Sequence, residues 1–222
     1  MRIWILSCLF SLLLAPPALA GAWMRQTGQG FAAASATLRQ GQDGRQGHEL
    51  GYFGEYGWSP RLTLGVDLNQ NDRQSGHALL FARIPLLRGH SRPRFALTFA
   101  AGGSHQHRHW SPMSRTTLSV GHEFTTAHAS GWISVDASYE YRAYAPDPIW
   151  KLDATIGLNT GKAFSPILQI ETSRSASAPL SYAIIPSLRY RVSERQDLVV
   201  GLEHKKAGDR SLGLKIALWH RF

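Results

Sequence analysis

The chain closes on SLGLKIALWHRF, residues 211–222. Leu212, Leu214, Ile216, Leu218, His220 and Phe222 share one parity; Ser211, Gly213, Lys215, Ala217, Trp219 and Arg221 share the other. Successive side chains of a β-strand point to opposite faces, so a period of two gives the strand an apolar face and a polar one. The fold depends on whether the same pattern recurs upstream.

It recurs throughout. Twelve period-two segments of about ten residues, a usual strand length, are separated by Gly, Pro, Asn, Asp and Ser, the residues that supply turns. They run over 29–39, 47–57, 61–69, 76–86, 93–103, 114–124, 130–142, 148–158, 163–173, 179–191, 197–206 and 210–222. In RLTLGVDLN the apolar set is Leu62, Leu64, Val66 and Leu68, set against Arg61, Thr63, Gly65, Asp67 and Asn69. In WISVDASYEYR, Ile133, Val135, Ala137, Tyr139 and Tyr141 oppose Ser134, Asp136, Ser138, Glu140 and Arg142. In IWKLDATIGLN, Trp150, Leu152, Ala154, Ile156 and Leu158 oppose Lys151, Asp153, Thr155, Gly157 and Asn159. Ile167 and Ile185 are apolar exceptions on the polar face, and GFAAASATL near the start has faces that hardly differ. No capped amphipathic helix interrupts the series.

Alternation alone does not say which face turns inward. A soluble barrel hides its apolar face in a core; a transmembrane barrel turns it toward lipid. With both termini on one side and strands running up and down, the apolar face sorts its aromatics by height. Tyr56, Trp58, Phe95, Phe124, Phe164, Tyr190 and Phe222 gather at the terminal rim, and Tyr139, Tyr141, Trp150 and Tyr182 at the other. Two aromatic girdles around an aliphatic band match the two interfaces of a bilayer. Charged residues of the strand centres keep to the polar face. On the lipid face a midplane Lys or Arg costs roughly 2–4 kcal/mol. The predicted fold is therefore all-β: a twelve-stranded antiparallel up-and-down transmembrane β-barrel.

The ends fit an exported protein. Arg2 precedes the apolar run Ile3–Leu14, and Ala18-Leu19-Ala20 precedes Gly21, the form of a signal peptide with an A-x-A-like cleavage site. The expected division is a signal at 1–20 and a barrel at 21–222. Cys8, the single cysteine, lies within the signal, so no disulfide is expected after cleavage. The net charge of +9 falls to +8 once Arg2 is lost. For an exported chain this balance favours anionic headgroups or anionic solutes over nucleic acid.

The last strand resembles the C-terminal assembly signal of bacterial outer-membrane barrels. EYGWSPRLTLGVDLN (55–69) resembles their strand–turn–strand unit, and GAWMRQTGQGF (21–31) is similar to the mature start of a group of small proteobacterial members. The resemblance implies a bacterial outer-membrane location, Phe222 as the residue read by the barrel-assembly machinery, outer-membrane lipids as partners and a transport role. It implies no catalytic residue and no cofactor.

The inward face is then the functional surface. The lining residues expected there are Asp67, Arg83, Asp136, Glu140, Arg142, Lys151, Asp153, Glu171, Arg189, Arg191 and Lys215. Their nearly balanced signs suit a narrow polar channel for small, anionic solutes among others, and suit equally a salt-bridged interior that passes nothing. Small inward residues (Gly65, Gly102, Gly121, Gly157, Gly201, Gly213) are expected to leave room for a pore. A sealed barrel working through its outer loops and a lipid-modifying enzyme are the other readings. SHQHRHW puts His105, His107 and His109 at alternate positions of the longest expected outer loop, residues 104–114, where a strand edge would present them as a weak zinc or copper candidate. Ser104 or Ser111 with His105 or His107 would be the nucleophile and base of an enzyme; His90-Ser91 falls on the opposite, terminal side. Outer loops are expected to be longer than the turns of the terminal side.

Overall fold

A computed structural model describes residues 21–72, 74–87, 93–126 and 129–222. The expected signal, residue His90 and residue Ser91 lie outside them. The described residues form twelve strands: β1 (Gly30–Gly41), β2 (Gln46–Ser59), β3 (Leu62–Asn71), β4 (Ser75–Pro85), β5 (Arg94–Gln106), β6 (His109–Thr125), β7 (Ser130–Arg142), β8 (Ile149–Asn159), β9 (Phe164–Ser175), β10 (Ala178–Arg191), β11 (Gln196–Ala207) and β12 (Asp209–Arg221). Each pairs antiparallel with its neighbour in sequence, and β12 pairs with β1 to close the barrel. Closure satisfies every strand edge, which an apolar solvent requires because nothing outside can hydrogen-bond a free backbone group.

The two faces are sorted as the alternation predicts, and the apolar one points outward. Leu38, Leu80, Leu202 and Leu212 are each about two-thirds exposed or more, at 65, 72, 65 and 67%. Thr63, Ser119, Glu140 and Asp197, on the other parity, are buried inside. A soluble protein would invert this arrangement; hydrocarbon around the barrel explains it. Both girdles are present. Tyr139 and Trp150 meet edge to face at 4.8 Å on one rim, and Phe164 meets Tyr190 at 4.9 Å on the other.

The barrel seam explains the terminal phenylalanine. The Phe222 amide donates to the Gly30 carbonyl at 3.0 Å, and the Gly30 amide donates to the Phe222 carbonyl at 2.6 Å. The Phe222 ring covers Gly30, where a Cβ would lie 2.2 Å from it.

Two expectations fail at the other rim. Residues 104–114 are not a long loop. β5 and β6 run on to Gln106 and His109, joined by His107 and Arg108, which have φ of 48° and 72°. Positive φ at both central residues is the twist of a two-residue hairpin, and it carries the ladder to the tip. The other connections on this rim are short too, such as the single Gly208 between β11 and β12. The outer loops are therefore not the longer set. Strand pairing, which satisfies backbone groups two at a time, has been extended at their expense.

Candidate functional site

The lumen has two unlike halves. The first is filled by a segment that the alternation did not reveal: residues 21–29 precede β1 and fold back into the barrel as an arm. Thr27 bridges Gly57 of β2, and the Gly28 amide donates to the Gly57 carbonyl at 2.9 Å. A Cβ on Gly57 would lie 2.1 Å from the Gln26 carbonyl oxygen, so only glycine admits the arm here. Farther along, the Arg25 amide donates to Thr63 Oγ1 at 3.1 Å and its guanidinium pairs with Glu55. Arg83 also reaches Glu55, at 2.7 Å. Two cations thus flank one buried carboxylate, which offsets the desolvation that would penalise it alone.

Trp23 is the anchor of the arm. Its ring meets Trp132 of β7 edge to face, with centroids 6.1 Å apart and planes at 82°. Its indole Nε1 donates to Glu123 Oε1 at 3.0 Å. A buried tryptophan needs both a packing surface and an acceptor, and here it has both. Gly121 supplies the space: a Cβ there would sit 2.5 Å from the Trp23 ring, and one on Gly157 would sit 2.6 Å from Trp132 Nε1.

The room expected from small inward residues is therefore already occupied. Gly65 yields its space to Phe81, Gly201 to Ser187 and Gly213 to Arg39, while Gly102 lies against the backbone of Ala78. Inward apolar side chains beyond the two isoleucines thicken this wall. Leu79 and Met113 are almost fully buried, and Phe53 stacks on Phe81 at 5.3 Å. Beside the arm remains a cavity of about 220 Å³ lined by Gly21, Asp67, Arg83, Arg115, Asp136 and Asp153 among others.

The second half, formed by β8 to β12, is different. Lys151, Asp153, Glu171, Lys205 and Lys215 point inward yet remain in contact with solvent. The closest ion pairs of Lys205 and Lys215 among the described residues are loose: Lys215 to Glu171 at 3.7 Å, and Lys205 to Glu49 at 4.0 Å. Water reaches these charges from within the barrel.

All the candidate lining residues lie on the inward parity, but they are engaged to different degrees. Asp67 and Arg115 pair at 2.6 Å; Arg115 reaches on to Glu140 at 3.0 Å, and Arg142 holds Glu140 from the rim at 2.5 Å. Arg83 is committed to Glu55 and the arm. Arg189 donates to Asn159 at 2.8 Å, and Arg191 stands exposed at the terminal rim. Two clusters were not foreseen: Arg39 with Glu49 and Glu203, and Arg221 with Asp197 at 2.7 Å. Inward parity was a legible signal for every one of these residues; who pairs with whom was not, because partners sit on strands far apart in sequence.

The histidines do not converge. The two-residue turn pairs Gln106 with His109 and His105 with Trp110, which puts His105 and His109 on opposite faces. His105 turns outward, tilted against Trp110 at 4.9 Å and bonded through Nε2 to Gln70 at 2.9 Å. Ser104, next to it, faces inward opposite Ser111. Neither a three-histidine site nor a Ser–His pair is assembled.

A closed, polar-lined, twelve-stranded barrel with lipid-facing leucines decides the comparison. The chain shares its fold with porins. It superposes on the KdgM porin, solved in complex with disordered oligogalacturonate, with a TM-score of 0.61 at 10% identity over 86% of this chain and 99% of that one. The NanC porin gives 0.58 at 9% identity over 85% and 98%. At this identity the likeness is one of fold. No family model and no curated protein matches the chain.

Proposed function

We propose that the chain is an outer-membrane channel for small polar solutes, with a preference for anions, exported by a signal at residues 1–20 and inserted by the barrel-assembly machinery. The observation that carries this reading is the solvated inner wall of β8 to β12. Lys151, Lys205 and Lys215 face the lumen there with loose partners or none at ion-pair distance among the described residues. Cations held by strong bonds are neutralised locally, whereas loosely paired ones project a field into the lumen that a passing anion meets. Asp153 and Glu171 on the same wall temper that field. The oligogalacturonate held by the KdgM porin is itself a polyanion, which is consistent with an anionic solute here.

Planar-bilayer recording of the folded mature protein tests the reading. Stepwise, ohmic current with a reversal potential toward the anion side of a salt gradient is expected. A silent bilayer with folded barrel inserted overturns it. The packed arm favours a second reading, a sealed structural barrel, which predicts that silence. Short hairpins at the outer rim weigh against recognition by long loops.

A further inference from the structure

Gly21, the tip of the arm, sits in the cavity beside Asp136. A Cβ on Gly21 would lie 2.9 Å from Asp136 Oδ1, 3.2 Å from Asp136 Oδ2 and 2.4 Å from Ser134 Oγ. The Asp136 Oδ1 and Ser134 Oγ atoms are shielded from water and have no hydrogen-bond partner among the described residues. Orphaned buried acceptors are rare and point to a group that belongs there. Asp136 also stands directly opposite Asp153 in the β7–β8 register, an unfavourable pairing of like charges. Ser119 hydrogen-bonds Asp136 and Arg83 attracts it at longer range, yet Oδ1 keeps no hydrogen bond, and the hydrogen bonds of the nearby cations go elsewhere. Arg83 bonds Glu55, the Trp23 carbonyl and Thr98; Arg115 bonds Asp67 and Glu140, and His77 also faces Asp67, at 3.3 Å.

We propose that the α-ammonium of mature Gly21 is the counter-ion of Asp136 and the donor to Ser134, so that the processed chain terminus is itself a cation of the lumen. The inference rests on the reading of residues 1–20 as a signal cleaved before Gly21. A signal peptidase hydrolyses the Ala20–Gly21 bond with one water, leaving a carboxylate on Ala20 and an ammonium on Gly21. That nitrogen is one bond from the Gly21 Cα, the same atom from which a Cβ would reach to 2.9 Å from Asp136 Oδ1. A small residue is required at this position, because a Cβ would strike Ser134 Oγ at 2.4 Å. Processing therefore creates the charge that the cavity is missing, and it fastens the free end of the arm at the same moment.

The test uses mature protein extracted from membranes. N-terminal sequencing comes first, and a start other than Gly21 overturns the proposal. Acetic anhydride labelling of the terminal amine is then followed by mass spectrometry across pH, folded and in urea. In urea the amine should titrate in its ordinary range of about 7.7–8.0. In the folded barrel the midpoint should rise by at least about one unit, with labelling at pH 8 at least about four- to sixfold slower. Asp136→Asn should bring the midpoint back and restore the rate, which a merely crowded terminus would not do. Should that variant fail to fold, the midpoint of the wild-type barrel decides alone. An unshifted midpoint overturns the proposal. Labelling needs no conductance, so a silent bilayer would sink the channel and leave this inference standing.

Discussion

Trp23 and Trp132 meet edge to face inside the barrel, 6.1 Å apart, one from the arm and the other from the start of β7. With the bond from Trp23 to Glu123, this contact holds the arm in the lumen. Burying a tryptophan against a fitted surface contributes roughly 3–5 kcal/mol relative to alanine. Trp23→Ala should therefore release the arm while the strand ladder persists. Trypsin should cut at Arg25 in the variant and spare it in the wild type, and single-channel conductance should rise. Equal protection of Arg25 in both proteins would show that the contact is not what holds the arm.

The seam makes a second prediction. Phe222 supplies two backbone hydrogen bonds to Gly30 and covers it with its ring. Deleting Phe222 frays the ladder where β1 and β12 must meet, and it removes an aromatic from the terminal girdle. Insertion into liposomes should slow several-fold, read from the gel shift between heated and unheated samples. Gly30→Val should slow it as well, since a branched side chain cannot share that space with the ring.

How much of this was legible follows from the range of each interaction. Strand alternation is local, so Leu212 to Phe222 declare their two faces without knowledge of any partner, and all twelve strands could be read that way; the lipid-facing side needed the aromatic girdles as well. The arm could not. Its residues have no periodicity, and its partners Gly57, Thr63, Gly121 and Trp132 are brought to it only by barrel closure. A faint signal existed: Trp23 is a large apolar residue ahead of the first strand, and Trp132 and Gly121 break the polar face. The glycines misled because an absent side chain was taken for empty space, when close packing fills such gaps with a neighbour.

The solvated wall sets the third prediction. Lys215 lies 3.7 Å from Glu171, close enough to interact and too far to be neutralised. Lys215→Glu should shift the reversal potential in a potassium chloride gradient toward cations, and Glu171→Gln should shift it toward anions. Arg83→Gln should instead destabilise the fold, because it leaves Glu55 with one cation fewer in a buried site. Selectivity that ignores both wall substitutions would place the ion path elsewhere.

The outward face carries a fourth. Leu80 is central in β4 and 72% exposed, the profile of a side chain in hydrocarbon. Leu80→Arg should cost roughly 2–4 kcal/mol in a lipid bilayer. Denaturant unfolding from liposomes measures it. The same change in a barrel surrounded by water would be nearly neutral, so a cost under about 0.5 kcal/mol would contradict a lipid-facing position.

The hairpin tip offers the last. His107 and Arg108 both adopt positive φ, which histidine tolerates better than most residues and arginine does not. Hairpins of this length prefer Asn-Gly, whose absence is why the turn read as part of a loop. Their extended strands nonetheless pair to the tip, Gln106 with His109 and His105 with Trp110, so the ladder holds the turn in a conformation that Arg108 resists. Replacing the pair by His107→Asn and Arg108→Gly relieves that conflict. The double variant should gain roughly 0.5–1 kcal/mol in unfolding free energy, with current and selectivity unchanged, because neither residue lines the solvated wall. A loss of stability would mean that the two side chains make contacts at the rim worth more than the backbone strain they impose.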